Sequence, residues 1–154
     1  MFLAIENPLN SSPLVFPVLE CFHIVGFGVA IGTIALVDFR LLGLAMKHQS
    51  AGQLLTRTRI WTLSALAVVI LTGLLLFSSD PDMYYRNWSF LIKLACLSIA
   101  VAFNYTVHRR TALFGASPAV NKIVGSLSLF LWMTVIFGGI YIGFVKEGLG
   151  FAGL

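Results

Sequence analysis

Ionisable residues inside an apolar stretch are where chemistry would be sought first. Glu20, His23 and Asp38 fall within, or at the edge of, the otherwise greasy run from Pro17 to Gly43. A carboxylate facing lipid costs about 2.5 to 3.5 kcal/mol on insertion scales, so these side chains are expected to face protein and to serve function. At about 100° per residue, the separation from Glu20 to Asp38 is five whole turns, which places both on one helix face, with His23 about 60° away. A second set follows at Lys93, Asn104 and His108, which with Leu97 and Ala100 form one helical stripe.

What these residues could do depends on which of them meet. A carboxylate and an ammonium at one depth offset each other's desolvation, so Glu20 and Lys93 could form a buried ion pair fixing the first span against the third. His23 could instead ligate a metal or a haem. Glu-x-x-His is the ligand unit of di-iron bundles, but those sites need a second such unit and further glutamates, which this sequence lacks. By helical rise His23 lies about 12 Å, and His108 about 30 Å, below the outer boundary, so the two cannot clamp one iron. Haem at His23 would then have an open axial position or a sulfur, lysine or carboxylate partner. A third possibility is a proton or small-ion relay along Glu20, His23, Lys93, Asn104, His108 and Asp38. Ala30, Ile34, Leu97 and Ala100 interrupt that line, and water would have to bridge them. At the far end, Asp38, Arg40 and His108, with Arg109 beside them, are expected to snorkel and pair as topology anchors.

The elements that position these residues follow from composition. The chain has 154 residues, 58% hydrophobic and 10% charged, with a mean hydropathy of +0.94. Soluble domains carry about 25% charged residues, so this is the composition of a polytopic membrane protein. Apolar runs at about 15–38, 60–78, 89–108 and 123–145 each exceed the roughly 18 residues needed to cross the hydrocarbon. Short connections leave no room for a soluble domain, so residues 1–154 form one four-helix transmembrane unit. The first run is expected to stay as a span, because Glu6 and no Lys or Arg precede it. Met1 to Ser12 could lie along the outer interface as a short amphipathic piece.

Basic residues set the orientation. Arg40, Lys47, Arg57 and Arg59 flank the first connection, and Arg109, Arg110 and Lys122 the third. The positive-inside rule puts both in the cytoplasm and both termini on the outer side. The formal charge of +4 then reflects topology, and nucleic acid is not an expected partner. The second run is apolar apart from Thr62, Ser64 and Thr72, the fourth holds no charge, and both are expected to shield the polar line from lipid. Tyr84, Tyr85 and Trp88 suit an aromatic belt. Cys21 and Cys96 lack C-x-x-C spacing and read as small buried hydrophobes. Gly28-x-x-x-Gly32 and Gly139-x-x-x-Gly143 allow close helix approach, within the bundle or in a homo-oligomer.

Several motifs carry a resemblance. Pro17-x-x-Glu20-x-x-His23-x-x-Gly26, Asp38-x-Arg40-Leu-Leu-Gly43, Asn87-x-x-Phe90-x-x-Lys93, Asn104-x-x-x-His108 and Ser126-Leu-Ser-Leu-x-x-Trp132 resemble a group of small bacterial four-span membrane proteins of uncharacterised function. More distantly, His23 and Trp88-Ser-Phe-Leu-Ile-Lys93-Leu-Ala are similar to HemJ-type protoporphyrinogen oxidases and to the CopD copper-resistance membrane domain. That likeness implies haem b and quinone-linked redox chemistry, with His23 and Lys93 facing a porphyrin or metal. Where such proteins carry a His pair after the Lys, this chain has Asn104 and Tyr105.

The sequence therefore predicts an all-α polytopic membrane four-helix bundle of the bacterial inner membrane, with both termini on the periplasmic side. Its expected function is redox-type binding of haem b or a metal, with His23 as ligand and Glu20 and Lys93 beside it. The alternative is a non-enzymatic membrane subunit or ion-permeation protein whose polar residues lock the bundle or relay protons. Expected partners are the bilayer and either a second copy or another membrane subunit.

Overall fold

The computed structural model describes residue 9 and residues 12–143, and the expected amphipathic piece at Met1 to Ser12 lies almost wholly outside them. Among the described residues, four helices are long and apolar enough to cross a membrane. Helix is the open structure that satisfies every backbone group without water, which is why apolar runs of this length adopt it in lipid.

Helix α1 spans Val15–Leu41 and buries Gly26, Ala30, Ile34, Val37, Asp38 and Leu41, a single stripe beginning only in its fourth turn. It stops where Gly43 takes a φ of +76°, a left-handed turn that glycine adopts without steric cost. Arg40 Nε donates to the Gln49 carbonyl at 2.5 Å and ties down the connection.

Helix α2, Ala51–Ser79, begins well before the apolar run at residue 60. A capping box causes this: Gln53 N–H donates to Ser50 Oγ at 3.1 Å, and Ser50 N–H to Gln53 Oε1 at 3.0 Å. The polar Thr56 to Arg59 stretch is therefore helical. After it comes the short α3, Pro81–Tyr85, started by proline and by Asp80 Oδ1 accepting from Met83 N–H.

The third crossing is built in pieces. Helix α4 runs Trp88–Phe103, a π-helical turn covers Asn104–His108, and α5 continues as Arg109–Phe114 until Gly115 turns the chain with a φ of +73°. Asn87 caps α4 through Ser89 N–H and donates its Nδ2 to the Ile142 carbonyl, joining the start of α4 to the end of α6. Helix α6, Pro118–Ile142, has proline in its first turn and Ser117 as cap.

Small residues let the crossings approach, as expected where lipid removes the hydrophobic drive between helices. A Cβ on Gly26 would stand 3.0 Å from Val69 Cγ2, seating α1 on α2, and Thr33 and Thr62 hydroxyls meet at 2.8 Å between the same helices. A Cβ on Gly138 would stand 3.1 Å from Lys93 Cβ, seating α6 on α4. Gly125 lies against the Asp38 carbonyl and joins α6 to α1, while Gly52 lies against the Ala112 carbonyl and joins α2 to α5. Each crossing thus neighbours the next around the ring, and the first and third stand across its diagonal.

Two apolar layers fill the centre. Ala30, Ile34, Ala65, Leu66, Ala100 and Trp132 form one, and Val37, Leu41, Leu54, Ala112 and Val124 the other. One sequence expectation changes here, and the glycine motifs separate. Cys21 is exposed rather than buried. Gly139 packs against the Lys93 side chain inside the bundle, whereas a Cβ on Gly28 or Gly32 would meet nothing within 4 Å.

Candidate functional site

The polar residues gather at two levels. At the level nearer α3, His23 leaves α1 toward α2, where its Nδ1 lies 2.8 Å from Thr72 Oγ1. The Thr72 hydroxyl proton goes to the Val68 carbonyl at 2.6 Å, so its oxygen accepts from His23 and Nδ1 is the protonated nitrogen. Nε2 then keeps its lone pair, and the ring's bond to Thr72 runs through Nδ1, with the Val69 backbone also within hydrogen-bond reach of the ring. Gly73 makes room for the ring, since a Cβ there would sit 3.0 Å from His23 Cε1. Phe27, one turn along α1, meets the imidazole edge-on with centroids 5.0 Å apart.

Lys93 approaches the same phenyl ring from the third crossing. Its Nζ lies 4.9 Å from the Phe27 centroid, and a Cβ on Gly139 would come within 3.2 Å of Nζ. Phe27 therefore stands between the two, touched by the imidazole and by the ammonium. A cation over an aromatic face gains about 0.5 to 2 kcal/mol, far less than a buried ammonium loses on leaving water.

The Glu20–Lys93 pair expected from sequence does not form. Glu20 is exposed, and among the described residues no carboxylate reaches Lys93. Glu20 lies on the part of α1 before its first buried residue, Gly26. The carboxylate instead acts on Tyr84, the phenol of which is pushed above its ordinary range by burial, then by Glu20 and Asp80. Tyr84 is one of three rings, with Phe77 and Phe90, that close this end between α2 and α4.

At the other level, expectation and structure diverge the opposite way. Asp38 and His108 do not snorkel: their side chains are 0% and 1% exposed, and His108 Nε2 meets Asp38 Oδ1 at 2.7 Å across the bundle. Ser128 Oγ donates to Asp38 Oδ2 at 2.9 Å from α6. Arg40 stays apart from this network, held on the Gln49 carbonyl. Asn104 is buried near it, one turn before His108. The apolar layer around Trp132 lies between the two levels.

Of the residues singled out by sequence, the structure brings His23 and Lys93 onto one ring and joins Asp38 to His108. Glu20 and Arg40 are left outside those contacts. Phe27, Thr72 and Ser128 were not anticipated. Thr72 and Ser128 were legible as isolated hydroxyls in apolar spans, where a hydroxyl seeks an interhelical partner. With them, α2 and α6 supply polar partners as well as shielding. No group of three or more His, Cys, Asp or Glu side chains converges among the described residues.

Searches of curated proteins and of solved structures return no match. One family profile does match, over residues 15–145, from the start of α1 to just beyond the end of α6. The stretch holds every contact described above, and the chain belongs to the family of unknown function DUF6644.

Proposed function

We propose that this small multi-pass membrane protein binds haem b in the half of the bundle nearer α3, with His23 as axial ligand. The observation that carries the reading is the pairing, around Phe27, of an imidazole whose Nε2 lone pair is free and an ammonium with no ion-pair partner among the described residues. Thr72 orients the imidazole through Nδ1, as outer hydrogen-bond partners do for ligating histidines. Lys93 suits a propionate, which would supply the missing countercharge. A bare metal ion fits poorly, because no further His, Cys, Asp or Glu joins His23 in a cluster among the described residues, whereas a porphyrin brings its own four nitrogens. Glu20, at the mouth beside Tyr84, balances charge without touching the ligand. On this reading the positive-inside rule, applied to the basic connections, supports a periplasmic position for this half and for both termini in a bacterial inner membrane.

An optical spectrum of protein purified from haem-replete cells tests this. A Soret band that disappears in His23→Ala and weakens in Lys93→Met supports the reading. Colourless wild-type protein overturns it.

A second reading is favoured by the buried Asp38–His108–Ser128 network, which joins three crossings. On it the protein is a non-enzymatic membrane subunit, and the polar residues only hold the bundle for a partner subunit or a second copy. Colourless protein that loses stability in Asp38→Asn but keeps it in His23→Ala would support this reading over the first.

A further inference from the structure

The network at the basic-loop end contains more than a lock requires. Both Asp38 oxygens are occupied, one by His108 Nε2–H at 2.7 Å and one by the Ser128 hydroxyl at 2.9 Å. With a neutral imidazole the pair carries one negative charge in a low-dielectric interior. With both ring nitrogens protonated it carries none, so a proton at Nδ1 relieves an uncompensated buried charge. That nitrogen has no hydrogen-bond partner, and neither has the Nδ2 of Asn104, itself 7% exposed.

The backbone sets these two atoms on the same face. Asn104 and His108 bound the π turn, where Arg109 N–H reaches back five residues to the Asn104 carbonyl. A π turn widens the helix and is a recurrent device at functional sites. An amide donor and an imidazole acceptor one turn apart, unbonded to each other, match a molecule that accepts from one and donates to the other. Water does both.

We propose that Asp38 and His108 form a proton-binding site inside the membrane, loaded at His108 Nδ1 through a water molecule held by the Asn104 amide. When that water receives a proton, one of its O–H bonds breaks and an Nδ1–H bond forms. The water is regenerated, and nothing is oxidised or reduced. The groups facing the pair are few. α1 contributes Asp38 itself, with Arg40 turned away to Gln49. α6 contributes the Ser128 hydroxyl, the third crossing contributes Asn104 and buried Thr111, and α2 contributes apolar Leu54. Between the pair and the basic-loop end lie Leu41, Leu54, Ala112 and Val124, so a proton entering from that side must pass this layer. A recess of about 260 Å³, lined by Arg40, Leu41, Thr111 and Asn121 among others, lies one turn beyond the pair at the basic-loop end. Toward α3, the Ala30, Ile34, Ala65, Leu66, Ala100 and Trp132 layer closes the path. The site thus stores a proton without conducting one, and it is independent of any ligand at His23.

Nitrogen NMR of ¹⁵N-histidine-labelled full-length protein in lipid nanodiscs reads the site directly. Expected is a His108 Nδ1 that gains a proton as pH falls while Nε2 stays protonated toward Asp38. Asn104→Leu should keep the Nε2 signal and lose rapid solvent exchange at Nδ1, with Asn104→Ser restoring it through a hydroxyl donor. An Nδ1 that never takes a proton while the fold holds, or exchange unchanged in Asn104→Leu, overturns the proposal. Should Asn104→Leu fail to fold, Asn104→Ser carries the same comparison, and loss of exchange there overturns the water-held geometry. In liposomes the wild-type protein should pass no net protons, and a steady leak would overturn one-sided access.

Discussion

His108 Nε2 lies 2.7 Å from Asp38 Oδ1, and neither side chain is more than 1% exposed, although their helices occupy diagonal corners of the bundle. One short contact therefore spans the core, and Ser128 completes it from a third crossing. Removing one member of such a pair strands the other without its partner, at a cost of about 3 to 5 kcal/mol. Asp38→Leu and His108→Leu should each lower thermal stability in detergent by that order. The double variant Asp38→Leu with His108→Leu should lose less than the sum, because it strands no charge. Additive losses in the cycle would show the two residues acting separately.

The glycines make a graded series. A Cβ on Gly125 would press on the Asp38 backbone carbonyl at 3.0 Å, and backbone cannot turn aside. Gly125→Ala should destabilise by about 1 to 3 kcal/mol, as overpacking does. Gly28→Ala meets nothing within 4 Å and should be neutral or slightly stabilising in the same melt. Equal effects at both positions would contradict the packing of α6 on α1.

Tyr84 gives an alkaline limit. Its phenol is held above the ordinary range by burial and by Glu20 and Asp80, so the fold favours the neutral form. A raised folded value means that this contribution is complete below the unfolded value, about pH 10, and is lost as pH rises through the folded one. Tyrosinate absorbance of Tyr84 should therefore appear above the ordinary tyrosine range in an alkaline titration. Tyr84→Phe should remove the corresponding loss of stability, and Glu20→Gln should bring the Tyr84 titration to lower pH.

Lys93 carries an ammonium with an aromatic ring and no carboxylate, so in ligand-free protein it costs more than it returns. Lys93→Met should raise the melting temperature of ligand-free protein. Phe27→Leu, which removes the ring beneath the ammonium, should lower it, at a stability cost of about 0.5 to 2 kcal/mol. A Lys93→Met variant that melts earlier than wild type would point to an ion-pair partner for the ammonium.

The capping box makes the most local forecast. Ser50→Ala removes the acceptor of Gln53 N–H and should cost about 1 kcal/mol. Hydrogen exchange should then rise over the first turns of α2, with the spans themselves unchanged.

The sequence by itself determined what depends on neighbours along the chain. Hydropathy over about 20 residues decides where a helix must cross, because unpaired backbone groups cannot survive in hydrocarbon. Four apolar helices form, and α2 extends ahead of its apolar run because of a polar capping box that hydropathy does not weigh. Helical period likewise placed Asp38 and His108 on polar faces. Only the tertiary structure decided which faces meet and where the bundle closes. Asp38 finds partners 70 and 90 residues away. Glu20 shares its face of α1 yet stays exposed, whereas the buried positions of that helix begin at Gly26. Lys93 settles on Phe27 because glycines on α6 let the third crossing lie close. Period fixes an angle around one helix axis, whereas pairing also needs neighbour and depth, and those follow from how the small residues of four helices fit together.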